Sequence, residues 1–334
     1  MIKSKDSKVL IIGGSGFVGS RLIDEIGEKN CINLDKKQSP KFPSITTIGD
    51  IRYIEQINIP VNCSTVILLA AEHRDDVNPT SLYYDVNVKG TINVLKKIDS
   101  SSVSKLIFTS SVAVYGLNKD NPTETHVKEP FNHYGKSKLK AEKAIIDWNK
   151  KSSVKRSVTI IRPTVIFGER NRGNVYNLLS QIYSKKFVMV GNGKNKKSMA
   201  YVGNIVSFIN QCINKKSKNI EIFNYADKPD LSMSELVSFV ESKNNSRIIN
   251  VKIPYMIALS TAYIFDLFSL IFRRKFLISS VRVKKFCATT QFNATKAHSV
   301  FNPSFSLKKG LNNTLDYEFF QKKKEEDNIV FYSE

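Results

Sequence analysis

The residues best suited to chemistry in this sequence are a tyrosine and a lysine four positions apart, Tyr134 and Lys138. They open residues 132–150, whose apolar spacing is helical, so both side chains are expected on one face of a helix. A lysine ammonium beside a phenol favours the phenolate and lowers the tyrosine pKa, which makes a usable acid and base. Ser111, at the end of an apolar run, could donate a hydrogen bond to the same substrate oxygen. These residues predict acid/base catalysis.

The Tyr-x-x-x-Lys spacing is common by chance in a chain this rich in lysine, and it occurs a second time at Tyr115 and Lys119. That pair flanks Gly-Leu-Asn just after an apolar run, so we expect it in a turn. The alternative for Tyr134 and Lys138 is a tyrosine at a helix start with a solvated lysine. A nucleotide-binding pattern near the start of the chain favours the chemical interpretation.

That pattern is KVLIIGGSGFVGSR, which predicts a strand, a tight turn and a helix. Residues 9–12 are wholly apolar, as in a strand buried on both faces, and Gly13, Gly16 and Gly19 follow at once. Such a turn leaves backbone N–H groups and the positive helix end open to an anion, and glycine lets a pyrophosphate approach. An acidic residue, Asp35, ends the next apolar run. We expect a dinucleotide site; the alternative is an ordinary strand-to-helix turn of an α/β protein.

Strand and helix patterns alternate along the first half of the chain and predict an α/β fold with a doubly wound parallel sheet of the Rossmann type. Ligands of such a sheet bind beyond the carboxyl ends of its strands. The expected strand ends hold the glycine turn, Asp35, Asp50, Ala70, Ala71, Ser111 and Pro163. Beyond residue 168 the pattern loosens, which predicts a smaller C-terminal substrate-binding lobe.

Composition predicts a folded globular protein, with 334 residues of which 41% are hydrophobic and 10% aromatic. The four cysteines are scattered, without a C-x-x-C pair or a nearby histidine cluster, so we expect no disulfide framework, no metal and a cytoplasmic location. The apolar run near the N-terminus is too short to predict a signal peptide. The net charge of +21 comes mainly from lysines spread along the chain. We expect a solvated lysine-rich surface and no nucleic acid partner.

The sequence resembles the extended short-chain dehydrogenase/reductases, and among them the NAD-dependent epimerase/dehydratase family, over nearly its whole length. The motifs GGSGFVG, LLAA, NVKGT, SSVAVYG, YGKSK and IRPTVIFG recur in the family's order and spacing. The resemblance implies that Ser111, Tyr134 and Lys138 are the catalytic residues. It implies NAD as the cofactor, with NADP as the alternative. The cofactor-binding residues that it implies are Gly13, Gly16, Phe17, Val18, Gly19, Asp35, Asp50, Ile51, Ala70, Ala71, Asn87, Tyr134, Lys138 and Pro163.

The resemblance also implies a homodimer, since the family usually pairs the helix that contains Asn87 with the helix that begins at Tyr134. We expect three parts in the chain. Their boundaries are 1–168 and 199–225 for the NAD-binding domain, 169–198 and 226–322 for the substrate-binding lobe, and 323–334 for a tail.

The resemblance also implies three residues that contact the substrate, namely Asn174, Lys197 and Arg282, the last of which lies about where the family has a second phosphate-binding arginine. Nucleotide-sugar epimerases often have an Arg-Asp pair where this chain has Lys197 and Ser198. A nucleotide phosphate could still meet the lysine, but the bidentate contact of an arginine is lost.

The residues and the resemblance together predict an NAD-dependent nucleotide-sugar 4-epimerase, of the UDP-hexose or UDP-N-acetylhexosamine type, in surface polysaccharide or glycan precursor synthesis. Dehydration is not expected, because family members that dehydrate sugars have Asp-Glu where Val112 and Ala113 stand here, and neither of these can transfer protons. Asp35 favours NAD, since a carboxylate accepts from a ribose 2′-OH and repels a 2′-phosphate. The alternatives are an NAD(P)H-dependent 4-keto-6-deoxy nucleotide-sugar reductase, a steroid- or flavonoid-type reductase, and a non-catalytic NAD-binding regulator.

The most apolar stretch is IPYMIALSTAYIFDLFSLIF, residues 253–272, which is about as long as a membrane span and is followed by Arg-Arg-Lys. Asp266, Pro254 and a position late in a catalytic domain speak against a span. Three interpretations stay open: a helix of the substrate lobe or pocket, reversible peripheral contact with an anionic membrane surface, and a true span.

Overall fold

The computed structural model describes residues 7–74, 77–117, 119–154, 156–215, 220–244, 252–272, 279–321 and 329–332. The described strands are β1 Lys8–Ile12, β2 Cys31–Asp35, β3 Thr46–Ile48, β4 Cys63–Leu68, β5 Lys105–Thr109, β6 Ser157–Pro163, β7 Val165–Phe167, β8 Met189–Val190, β9 Lys196–Tyr201, β10 Ile220–Tyr225, β11 Asp227–Ser232 and β12 Lys252–Ile253.

Helices alternate with the strands through the first half of the chain, as the sequence predicts. They are α1 Phe17–Ile26, α2 Ser81–Tyr84, α3 Thr91–Asp99, α4 His133–Lys151, α5 Asn174–Tyr183, α6 Val202–Asn214, α7 Met233–Lys243, α8 Tyr255–Phe272, α9 Ser280–Cys287, α10 Thr295–His298 and α11 Leu307–Leu315. A π-helical turn, Asp85–Gly90, joins α2 to α3, and a second, Asp316–Phe320, follows α11.

Seven strands form one parallel sheet in the order β10-β6-β5-β4-β1-β2-β3. From β1 the chain first builds outward through β2 and β3, and then returns to the other side of β1 with β4. The order therefore reverses between β1 and β4, which is where a doubly wound sheet binds its ligand. The predicted fold class is confirmed.

The sheet is covered on both faces because its strands are apolar at nearly every position. Along β1, Val9 and Ile11 join one buried cluster and Leu10 and Ile12 join the other, as the two-residue period of a strand requires. The first cluster takes in α1 and α6, and the second takes in α3 and α4. The strand ends that carry the site are thus fixed by packing from both sides.

Smaller elements lie beyond the main sheet in the second half of the chain. Strands β11, β9 and β7 form a three-stranded sheet, and β12 pairs with β8. Strand β10 belongs to the large sheet although it follows β7 to β9 in sequence. The domain boundaries given above stay a prediction. Within the described residues, no helix combines the length and the apolar character needed to cross a membrane.

A short C-terminal segment returns to the first helix. The Phe331 N–H donates to the Arg170 carbonyl at 2.8 Å, and the Phe331 carbonyl accepts from the Arg172 N–H at 2.7 Å. The Phe331 ring lies 5.9 Å from the Phe17 ring, centroid to centroid. The larger part of the predicted tail, residues 323–328 and 333–334, lies outside the described residues.

Candidate active site

Tyr134 and Lys138 both lie in the first turns of α4, at the spacing that puts them on one face. The helix begins after Asn132, whose side-chain oxygen accepts from the Gly135 N–H at 2.9 Å. This cap satisfies one of the free N–H groups at the helix start. It fixes where α4 begins, and hence where the tyrosine and the lysine stand.

Lys138 is fully enclosed, with 2% of its surface exposed. Its Nζ donates to the Thr109 carbonyl at 2.6 Å and lies 4.7 Å from the centroid of the Phe108 ring. Burial lowers the lysine pKa to about 7, and the nearby Glu142 carboxylate opposes this only partly. A cation is therefore held against the end of β5 at a cost in stability, which is common at functional sites.

The segment that carries Ser111 packs directly on the start of α4. Ser111 follows β5 and caps a 3₁₀ turn, Val112–Tyr115, with its Oγ accepting from the Ala113 N–H at 3.1 Å. A Cβ on Gly135 would lie 2.5 Å from the Ala113 carbonyl oxygen, so only glycine permits this approach. The sequence analysis did not single out Gly135, although it lies inside the YGKSK motif. The structure thus brings the segments of the three predicted catalytic residues together.

The other predicted Tyr-x-x-x-Lys pair is structural. Tyr115 is completely buried, and its hydroxyl donates to Asn224 and accepts from Arg162. Lys119 forms an ion pair with Glu129. The two side chains have separate partners, which agrees with the expected turn and not with a second catalytic pair.

The glycine turn after β1 lies against the loop that follows β4. Gly13 has φ +93°, and a Cβ there would lie 2.6 Å from the Ala70 nitrogen. A Cβ on Gly16 would instead point into space, with the Gly13 carbonyl oxygen as its nearest neighbour at 3.4 Å. That space at the start of α1 is what the pyrophosphate of a dinucleotide needs, so the residues present fit this group.

Two polar side chains of β2 hold the glycine turn in place. Asn33 is fully buried and accepts from the Gly14 N–H at 2.9 Å, and it donates to the Ser15 hydroxyl at 3.0 Å. Asp35 accepts from the backbone N–H groups of Ser15 and Lys37, each at 3.0 Å. The sequence analysis missed Asn33. The signal was there, since one amide in an otherwise apolar strand needs a buried hydrogen-bonding partner.

The next predicted cofactor residues lie after β3. Asp50 accepts from the Arg52 backbone N–H and forms an ion pair with its guanidinium at 2.6 Å. Burial would raise the pKa of Asp50, but the hydrogen bonds and charge of Arg52 outweigh it and hold the pKa below its ordinary value. Ile51 is buried against Gly90 in the core. Asp50 is therefore ionised at neutral pH, and Ile51 supports the helices beside the site.

Ala70 and Ala71 are half-buried at the end of β4. Behind them, the buried Asn87 amide accepts from the Glu72 N–H and donates to the Glu72 carbonyl and the Ser137 hydroxyl, all at 2.9 Å. Both amide hydrogens of Asn87 are thus donated to groups of the protein itself. Its predicted contact with the cofactor stays a prediction, while these bonds tie the β4 loop to α4.

The remaining cofactor predictions lie at the edges of the same crevice. Phe17 is buried at the start of α1, Val18 and Gly19 follow it in the helix, and Pro163 is buried at the end of β6. The three α1 residues follow β1, beside the reversal of strand order, whereas Pro163 ends a strand two positions beyond β4.

The three predicted substrate residues lie on separate elements. Asn174 is exposed at the start of α5, and Arg282 is exposed on α9. Lys197 Nζ donates to the carbonyls of Lys285 and Ala288, at 2.9 and 2.6 Å, and burial lowers its pKa to about 8. The lysine thus holds the end of the helix that carries Arg282. Its contact with a substrate phosphate stays a prediction.

Clusters of three or more His, Cys, Asp or Glu side chains that could hold a metal are absent from the part of the chain that the structure describes. The described strands instead carry the glycine turn after β1 and, at the end of β5, the segments of Ser111 and of the buried Lys138. This arrangement is typical of a dinucleotide-dependent enzyme with acid/base catalysis.

Comparison with known sequences identifies the family. The sequence model of the NAD dependent epimerase/dehydratase family matches residues 9–226, and the chain belongs to this family. The N-acetyl-alpha-D-glucosaminyl-diphospho-ditrans,octacis-undecaprenol 4-epimerase of Escherichia coli O157:H7 is 56% identical over 332 residues, which cover 98% of this chain and 100% of that protein. UDP-glucose 4-epimerase of Vibrio cholerae is 29% identical over 69% of this chain and 73% of its own length.

Solved structures show the same fold. UDP-glucose 4-epimerase of Thermotoga maritima, with UDP-glucose, matches 93% of this chain and 98% of its own with a TM-score of 0.72 and 21% identity. UDP-glucuronic acid 4-epimerase of Bacillus cereus, in complex with NAD, matches the same shares with a TM-score of 0.70 and 19% identity. The predicted family, the prediction of an NAD-dependent epimerase, and NAD as the cofactor are confirmed. The roles of the individual residues stay predictions.

Proposed function

We propose that the protein interconverts the C4 epimers of an N-acetylhexosamine that is joined through a diphosphate to a polyprenol. The observation that carries this is the 56% identity to the undecaprenol-linked epimerase, which extends over almost the full length of both chains. Uridine is the alternative carrier, since a UDP-glucose 4-epimerase is also a relative. Both carriers present a sugar diphosphate, and the experiment below separates them.

In this proposal Tyr134 is the acid and base at the sugar O4. Its phenolate oxygen takes the proton from O4 in one half of the cycle, and the hydroxyl so formed returns the proton in the other. NAD, when bound, supplies a reversible hydride acceptor for C4. Lys138, held on the Thr109 carbonyl, stabilises the phenolate by its charge. Ser111 donates a hydrogen bond to the same oxygen and keeps the carbinol in line with the tyrosine.

The residues beside this site favour epimerisation over the other reactions of the family. Val112 and Ala113 follow Ser111 and cannot supply the added acid and base that a dehydration needs. Asp35, at the end of β2, favours a cofactor without a 2′-phosphate. The 4-keto reductase, with net use of reduced cofactor, is the competing reaction.

We assign the sugar diphosphate to Asn174 on α5 and Arg282 on α9. Asn174 and Arg282 are exposed there, while Lys197 is bonded to the carboxyl end of α9. Arg282 is the diphosphate ligand in this proposal, as the resemblance implies, and Lys197 positions its helix.

The experiment supplies the full-length protein with the two carriers in separate reactions. N-acetylglucosaminyl-diphospho-undecaprenol in detergent and UDP-N-acetylglucosamine are each incubated with protein and NAD, and the sugar is then released and separated from its epimer. Exchange on the polyprenol substrate, without net formation of NADH, is the expected result, and Tyr134→Phe is the inactive control. Exchange on the UDP-sugar alone would reject the polyprenol carrier. Stoichiometric oxidation of NADH or NADPH by a 4-keto sugar would move the assignment to the reductase.

We also propose a homodimer in the cytoplasm. Exposed Ile92 on α3 and half-buried Tyr84 on α2 line a shallow groove beside Lys140 of α4, on the helices that the resemblance pairs. The four cysteines are free thiols, which suits a reducing compartment. Light scattering on the purified protein measures the oligomeric state, and fractionation of cells tests the location.

A further inference from the structure

Helix α8 carries its apolar side chains on the outside. Its inner side combines small or polar residues at a spacing of three and four, namely Ala258, Ala262, Asp266 and Ser269, with the half-buried Tyr255, Leu259 and Phe265. Ala262 is completely buried, and the Asp266 carboxylate accepts from the Ser280 N–H, at 3.2 and 3.4 Å from its two oxygens. The single charge of the helix thus points inward, where it caps α9.

The outward side of α8 is formed by large apolar residues. Leu270 is 77% exposed and Met256 68%. The other members of this apolar face are Ile257, Tyr263, Ile264, Leu267, Phe268 and Phe272. A contiguous face of this kind on a water-soluble surface is costly, and it marks a place where another apolar phase or molecule binds.

Basic residues border the apolar face. Lys284 on α9 is exposed, and its Nζ lies 5.2 Å from the centroid of the Tyr263 ring. Arg282 and Val281, on the same helix, are exposed as well. Three more cations, Arg273-Arg274-Lys275, follow α8 in the sequence but lie outside the described residues. Apolar side chains with cations at their edge are the pattern of a helix that lies in the interface of an anionic membrane.

We propose that α8 is the membrane-docking surface of the protein and that it lies flat in the headgroup region of an anionic bilayer. With 18 residues the helix is about 27 Å long, so it presents an extended strip to the membrane. A second copy of this chain fits less well. A symmetric contact would repeat the same surface on both sides and set Arg282 and Lys284 against the same cations.

The reason why the protein would dock to a membrane rests on the proposed function. A polyprenol-linked sugar diphosphate stays in the bilayer, so the enzyme must bring its crevice to the membrane surface. Arg282 lies on α9, which α8 holds through Asp266 and Ser280. Docking of α8 would therefore place a candidate diphosphate ligand at the depth of the lipid headgroups.

Flotation with phosphatidylcholine vesicles, with and without phosphatidylglycerol, tests the surface without any substrate. We expect the protein to float with the anionic vesicles at low salt and to be released at high salt. Leu267→Ser combined with Leu270→Ser should weaken vesicle binding about tenfold for each leucine removed. Lys284→Gln should weaken it about fivefold. The control is Val61→Ser combined with Val154→Ser, two exposed apolar residues that lie before the amino ends of β4 and β6.

The outcomes separate this surface from the proposed function. Circular dichroism first shows that both variants are folded. Vesicle binding that is lost in the leucine variant and kept in the control then supports α8 as the membrane-docking surface. This result does not depend on which substrate the protein turns over. Absence of wild-type binding to anionic vesicles overturns it, even if the polyprenol substrate is epimerised. Unchanged vesicle binding in the leucine variant also overturns it. If that variant instead changes from dimer to monomer in light scattering, the occupant of α8 is a second copy of the chain.

Discussion

Replacement of Lys138 by methionine should make the protein more stable at pH 6 and less stable at pH 10. The lysine pKa is lowered by burial from 10.5 to about 7. The unfolded chain therefore binds the proton more tightly than the folded protein does. This penalty is complete below pH 7 and disappears as the pH rises towards 10.5, because both states are then neutral.

The two pKa values give the size of the effect. The penalty is about 5 kcal/mol at pH 6 and about 1 kcal/mol at pH 10. Lys138→Met removes it, but it also removes the 2.6 Å hydrogen bond to the Thr109 carbonyl. Loss of a partner for a buried carbonyl costs about 2 kcal/mol at every pH. The variant should then be about 3 kcal/mol more stable than the wild type at pH 6 and about 1 kcal/mol less stable at pH 10.

Urea unfolding at both pH values measures this crossover, and the difference between variant and wild type cancels the other titrating groups. Lys136→Met is the matched control, since Lys136 is an exposed lysine in the same helix and should change stability by no more than about 0.5 kcal/mol. Turnover should be lost in Lys138→Met even at pH 6, where the variant is expected to have the larger free energy of unfolding. A variant that is less stable than the wild type by the same amount at both pH values would refute the reasoning.

Three further changes test the site. Tyr134→Phe should lower kcat about 10²–10⁴-fold while NAD affinity in a fluorescence titration stays unchanged, because only the proton-transfer oxygen is lost; wild-type turnover would exclude the tyrosine as acid and base. Asp35→Asn should raise the affinity for NADPH relative to NADH, and tighter binding of NADPH by the wild type would show that neighbouring lysines prevail. Gly135→Ala should lower stability by about 1–3 kcal/mol and reduce kcat, since its Cβ would lie 2.5 Å from the Ala113 oxygen; an unchanged melting temperature would contradict this contact.

The sheet and the glycine turn could be predicted because their signals are local. A strand buried on both faces appears in the sequence as an unbroken apolar run. The glycine pattern that begins at Gly13 is typical of a turn that leads directly into a helix. The positions of Asp35 and Ser111 follow from the same runs, since each lies where one ends. These residues are therefore placed correctly relative to the sheet without any knowledge of contacts between distant parts of the chain.

The contacts that hold the site could not be predicted, because they join residues far apart in sequence. The acceptors of Lys197 are the carbonyls of Lys285 and Ala288, 88 and 91 positions later, so the sequence led us to expect a lysine available to a phosphate. The buried face of α8 was hidden for another reason. A segment that is apolar nearly all round has no preferred side in the sequence. The burial of Ala262 and the bond from Ser280 to Asp266 show which side faces the protein.

The contact between Phe331 and Phe17 joins two residues that are synthesised at very different times. It therefore affects when the packing around the glycine turn is complete. The ribosome makes the glycine turn first, but the aromatic side chain that packs on Phe17 comes 314 residues later. At about 5–20 residues per second, roughly 15 to 60 s separate the two. During that interval Phe17 lacks this one aromatic neighbour. Replacement of Phe331 would therefore change the packing at the beginning of the fold and not merely that of the segment that carries it.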